Sequence, residues 1–308
     1  MSSSIRTLAV AAALLISLPL AAAAITSPGS HTPTAATLRW GEDGHRMIGR
    51  AAADHLPASM PDFFRQAAAQ LSYLNPDPDR WRLLREDTTL TSAMSYFAPD
   101  HYLDMELVPD GALAAPDRYA FSDSLHAVGQ GLGTVGALPY RIMELTDRLR
   151  REFSLWRHAP DSATRVWIEQ RIINDAGILG HYVADAANPH HTTVHHNGWV
   201  GENIHGYVTE PNFHSRFESV YVRSHIELAD FSDRVTPIPH VVTPLQDSVV
   251  AYLGQSRSEL ERLYELDTRE SFGDTTSAAD HKEFAVDRLA AGATMLRNIW
   301  FTAWVTSR

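Results

Sequence analysis

The chain has 308 residues, 44% of them hydrophobic and 20% charged, with a formal net charge of −11 and no cysteine. That length and apolar content can enclose a large core in one or two domains, and the acidic balance argues against a module that grips duplex DNA through a Lys/Arg surface. The lack of cysteine excludes disulfides, thiolate zinc fingers and a cysteine nucleophile, so a metal would need nitrogen and oxygen ligands; 16 histidines can supply the nitrogen.

Residues 1–24 carry Arg6 and then TLAVAAALLISLPLAAAA, which reads as a secretory signal peptide removed on export to the periplasm or medium. A retained anchor is the competing reading, because the apolar run at 8–25 approaches the roughly 18 to 20 residues a membrane span needs. Cleavage would remove Arg6 and no acid, moving the net charge from −11 to −12. Residues 25–39, rich in Ser, Thr and Pro, look like a flexible lead-in to a folded domain at 40–308.

WGEDGH at 40–45 opens that domain with Trp40 and His45. Apolar residues then recur at spacings of three and four over 46–56 and 62–74, predicting two helices, with Pro61 suited to the first turn of the second. NPDPDRWR at 75–82 reads as a turn-rich segment, and DHYLD at 100–104 sets His101 among aromatic and acidic neighbours. Residues 117–159 suggest helices broken near 129–136, and 162–187 forms one long apolar helix carrying His181 and Asp185.

Residues 188–211 should be a loop, with Asn212 capping a helix that carries His214 and Glu218. Pro237, Pro239 and Pro244 interrupt before two closing helices, about 245–266 and 279–305. Strand alternation is almost absent and no internal repeat is seen. The expected architecture is a single all-α domain, a multi-helix bundle whose functional side chains point inward.

His181 with Asp185, and His214 with Glu218, are each four apart, so on a helix each pair shares one face and can close on a single ion. His191 follows close behind the first pair. Two chelating pairs predict two helices flanking one polar pocket. His190, His195, His196 and His205 read as solvated loop histidines that could recruit zinc or touch phosphate. Among the nearby aromatics Tyr96, Phe97, Tyr102, Trp199 and Tyr207, Trp199 is the best substrate contact, because its Gly-rich loop offers a large apolar residue little core to enter.

Taken together, these motifs resemble the superfamily that unites the single-strand-specific zinc nucleases of fungi and plants with bacterial zinc-dependent phospholipase C. The resemblance covers nearly all of 40–305. Trp40 and His45 match its W-G-x-x-G-H start, His101 its H-[FY]-[IL]-D element, and His181, Asp185 and His191 its H-x3-D-x5-H element. His214 matches the next ligand; Glu218 and FHSRFE look like the phospholipase branch, whereas WGEDGH looks like the nuclease branch.

The resemblance implies three zinc ions. One would take an upstream Asp, His101, His181 and Asp185; the second His191, His214 and Glu218; the third Trp40, His45 and a shared Asp185 oxygen. Asp79 is the choice for the upstream Asp because Asp79 and Arg82 reproduce a D-x-x-R spacing, with Asp77, Glu86 and Asp87 as alternatives. If cleavage follows the Ala run, residues 25–39 precede Trp40 and its nitrogen is an amide. Later processing would then have to expose it, or the third zinc is weaker or absent.

The implied activity is metal-assisted hydrolysis of a phosphodiester, with Asp79 orienting or deprotonating the water, on single-stranded nucleic acid or alternatively on a phospholipid. A zinc-rich pocket would be locally positive despite the acidic chain. The remaining alternative is a secreted zinc-binding protein without catalysis.

Overall fold

A computed structural model describes residues 41–81 and 97–308, all within one unit, Thr37–Arg308. The chain is all-α. The first helices are α1 (Glu42–Asp54), α2 (Asp62–Arg65), α3 (Ala68–Leu74) and α4 (Asp77–Arg80). Then come α5 (Arg118–His126), α6 (Leu132–Val135), α7 (Leu138–Arg157) and α8 (Ser162–Asp185). A short α9 (Phe213–Ser215) runs through a π-helical turn, Arg216–Tyr221, into α10 (Val222–His225). The last three are α11 (Leu245–Ser258), α12 (Leu260–Arg269) and α13 (Ala279–Val305). No strand occurs among the described residues, which show one isolated antiparallel bridge, Leu103 to Gly136.

Helix α8 is the axis of the bundle and packs against α1, α3, α7 and α13. Asp161 caps it, its carboxylate accepting from the Thr164 amide at 2.8 Å. From Asp175 to Asp185 every residue of α8 is buried, which is why this stretch reads as apolar all round rather than as one stripe. Phe64 of α2 anchors the centre between Phe153 of α7 and Trp300 of α13, with edge-to-face rings 5.6 and 5.4 Å apart. Each such side chain contributes about 1.5–3 kcal/mol by leaving water. Arg297 of α13 is fully buried and donates to Thr236 and Ile238, fixing the chain that leads to α11.

Several boundaries differ from the periodicity. The expected helix at 62–74 is two helices, because Ala67 bonds back to Phe64 at 3.2 Å, three residues away, and the tighter turn redirects the chain. Phe64 thereby faces Phe153 and Trp300 while Leu71 packs from a separate helix. The expected helix at 245–266 is likewise broken, with Glu259 bonding back to Ser256 at 3.2 Å. Asn212 precedes α9, but its side chain makes no cap bond; its carbonyl accepts from Arg216 instead. NPDPDR is a helical turn, and Pro189–Thr192 forms a 3-10 turn within the expected loop.

The reading of residues 1–39 as leader and lead-in lies outside the described residues, as does Tyr96. No helix among the described residues is long and apolar enough to cross a membrane.

Candidate metal centre

Seven elements, α8 among them, converge at the C-terminal end of α8. His181 and Asp185 lie on its last buried turns, His45 comes from α1 and Asp79 from α4. His101 ends a 3-10 turn, Ala98–His101, and His191 sits in the turn after α8. His214 comes from α9 and Glu218 from the π-helical turn.

The His101 segment has no long helix of its own and is held by backbone bonds. Leu103 donates to His191 O at 2.9 Å, Asp104 to Val135 O at 2.7 Å, and Ala137 to Pro99 O at 2.6 Å. Gly136 makes this approach possible: its φ is +90°, and a Cβ there would stand 2.0 Å from Tyr102 O. Arg216 holds the π-helical turn from outside, bonding both Asp267 oxygens at 2.8 and 3.0 Å and Phe272 O at 2.8 Å.

Two ligand triangles have the size that a small ion requires. His214 Nε2, Glu218 Oε2 and His191 Nε2 are separated by 2.8, 3.6 and 3.2 Å. His101 Nδ1, His181 Nε2 and Asp185 Oδ2 are separated by 2.9, 3.2 and 3.1 Å. A tetrahedral ion with bonds near 2.0–2.1 Å spaces its ligands about 3.3 Å apart. A third, wider group joins His45, Asp79 and His181, their ligand atoms all within 4.8 Å.

Asp185 links the groups. Its Oδ2 faces His101 and His181, while its Oδ1 lies 3.5 Å from His45 Nε2 and 3.6 Å from His191 Nε2. No family model, curated protein or solved structure matches this chain. Chemistry must therefore be read from the donors themselves.

Asp185 and Glu218 are fully buried, and among the described residues their ion-pair partners are histidines alone. Burial opposes their charge, but His181 and His191 hold the Asp185 carboxyl well below the usual range, and His214 and His191 do the same for Glu218. Burial pushes His45 down to about 3, aided by His181, whose ring stacks on it at 4.0 Å. Burial also lowers His191, yet Asp185 and Glu218 outweigh it and raise the imidazole to about 9. Buried imidazole nitrogens and ionised carboxylates crowded out of water form a donor set that could hold a divalent cation, which would take the place of the proton that the carboxylates favour on His191.

Ligand orientation is set by neighbours absent from the sequence reading. His191 Nδ1 lies 2.6 Å from His101 O, which leaves Nε2 for an ion. Asn188 donates from Nδ2 to Glu218 Oε2 at 3.1 Å and accepts from the His190 amide through Oδ1. Asn75 reaches His45. Only the Asn-Pro step at 188–189, a cap-like pair beside two histidines, hinted at such a role.

Eight of the nine expected ligands thus meet in one place; Trp40 lies outside the described residues, as do Glu86, Asp87 and Arg82. Asp77 pairs with Arg80 at 2.6 Å and belongs to no ligand group. His190 is not a solvated loop residue: it is buried among Phe213, Phe217, Tyr264 and His214, and neither ring nitrogen has a hydrogen-bond partner among the described residues. His195 and His196 are half-buried and His205 is exposed.

Trp199 is half-buried, stacked on His195 at 4.0 Å and packed against Tyr207 and Tyr264. Tyr207 is buried, Tyr102 is half-buried with its hydroxyl on Gly133 O, and Phe97 is exposed, edge-on to Trp81.

Proposed function

We propose that this protein is an exported zinc-dependent phosphodiester hydrolase of the nuclease type, acting on single-stranded nucleic acid. The reading is carried by Asp185, whose two oxygens face opposite sets of histidines and so can draw neighbouring cations together. Histidine nitrogen and carboxylate oxygen are the ligands zinc takes where no thiolate exists. When bound, neighbouring zinc ions supply Lewis acidity toward phosphoryl oxygens and bring the pKa of a coordinated water to about 7.

The residues around them divide the remaining work. Asp185 and Glu218 have side chains 1% and 0% exposed, whereas Asp79 is 19% exposed on its own short helix, so Asp79 is the carboxylate placed to meet solvent and substrate. It orients the attacking water and accepts its proton as the phosphorus–oxygen bond to the leaving group breaks. The buried histidines keep bulk water away from the opposite side. Glu218 favours a second reading, a phospholipase C hydrolysing phosphoglycerides, since that branch resembles this chain at FHSRFE.

Elemental analysis of the dialysed full-length protein, with assays on single-stranded DNA and short-chain phosphatidylcholine, tests both readings. Two or three zinc ions per chain with cleavage of DNA are expected. Preference for the lipid would transfer the assignment to the phospholipase, and bound zinc with neither activity would leave a non-catalytic zinc protein. A chain that retains no zinc after add-back would sink the metal reading altogether.

A further inference from the structure

Asn75 follows α3 and is completely buried, although an amide there brings two donor hydrogens and an acceptor oxygen out of water. Its Oδ1 lies 3.1 Å from His45 Nδ1. The side chain fits because two helices present glycine to it. A Cβ on Gly180 of α8 would stand 2.4 Å from Asn75 Nδ2, and one on Gly49 of α1 would stand 3.0 Å from the same atom. Gly49 lies one turn beyond His45, and Gly180 immediately precedes His181. The slot is therefore cut into the two helices that carry the ligands.

An imidazole that gives its Nε2 lone pair to a cation keeps its proton on Nδ1 and needs an acceptor there. Resting on the metal reading above, we propose that Asn75 is a positioning residue of the centre. Locked between Gly49 and Gly180, it accepts the Nδ1 proton of His45, fixes that tautomer, and turns Nε2 toward Asp185 Oδ1, 3.5 Å away. Glycine inside α8, which costs about 1 kcal/mol relative to alanine, is then explained by the group it admits.

The test compares Asn75→Leu, Asn75→Asp and Gly180→Ala in the full chain, with melting followed by circular dichroism to establish folding. Long-range nitrogen–proton NMR on metal-free protein reads the His45 tautomer, and competition with a chelator reads zinc affinity. Asn75→Leu and Gly180→Ala should lose the single Nδ1–H tautomer and weaken one zinc by about 10–100-fold, while Asn75→Asp, which keeps the acceptor, should retain both. Should N75L not fold, Asn75→Ala gives the same comparison. Folded variants with an unchanged tautomer and unchanged zinc affinity would overturn the proposal. A wild-type chain that binds no zinc would remove the proposed function, and the tautomer comparison would still decide whether Asn75 sets His45.

Discussion

Among the buried histidines, His190 stands apart from the ligands. Burial, reinforced by His214, holds it neutral, and among the described residues both ring nitrogens, surrounded by aromatic side chains, are without a hydrogen-bond partner. A buried polar group left unsatisfied costs about 1–3 kcal/mol. Replacing it by an apolar side chain of similar size, His190→Leu, should therefore stabilise the fold by about 1 kcal/mol, read as a higher denaturant midpoint with an unchanged slope. A lower midpoint would mean that ring contacts with Phe213 and Tyr264 outweigh the orphaned nitrogens. Neighbouring His191 was legible as a candidate ligand from local spacing. His190 was misread because adjacency in a loop says nothing about burial, and Asn75 was missed because its partner His45 is far away in sequence.

At the scale of elements, α7 and α8 fold back on each other across a short turn and trap an acidic pair. Glu152 and Asp175 have side chains 8% and 4% exposed; Arg148 Nε lies 2.5 Å from Asp175 and 3.7 Å from Glu152, and Arg171 Nε lies 3.8 Å from Glu152. Burial first, and Asp175 second, push the Glu152 carboxyl up to about 7 from an ordinary 4.5. A carboxyl raised in the folded state contributes stability that is complete below its unfolded pKa and is lost as pH rises through the folded value. Stability from this pair should thus fall between about pH 4.5 and 7. Glu152→Gln should raise the melting temperature at pH 8 and leave it nearly unchanged at pH 4; equal effects at both would rule out this titration. The helices themselves were readable where apolar period and local signals agreed, as for α8 with its Asp161 cap. The breaks at Ala67 and Glu259 fall in strong helix-forming sequence, QAAAQ and RSELER, and arise from core packing that overrides local preference. The π-helical turn bearing Glu218 has no local signature; it is held from α12 through Arg216.

Across the whole molecule, Asp185 makes the centre one cluster rather than separate sites. Asp185→Ala should remove at least two metal equivalents, because its oxygens face the histidines of different groups, whereas His214→Ala should remove one. Metal content per chain, with helicity checked by circular dichroism, distinguishes these outcomes; equal losses would show that the groups fill independently. The all-α architecture was foreshadowed by apolar periodicity, whereas the meeting of His45 with residues near 181–218 was foreshadowed only by the family resemblance of WGEDGH, since local spacing paired no more than His181 with Asp185 and His214 with Glu218. The orientation of those ligands was not, because it depends on carbonyls and amides that any residue or several polar ones could supply.

Helix α13 gives no ligand, yet it packs against α1, α7 and α8 and carries Trp300 at the core. A growing polypeptide therefore possesses every described donor, from His45 to Glu218, before it possesses the helix that braces their scaffold. Until then the four-apart pairs can grip a cation only loosely, two donors at a time. If the centre takes up a cation as proposed, full coordination would wait for the last helix, tight metal retention would mark completed folding, and a chaperone or protease that reached the chain earlier would meet it with its donors still open to exchange.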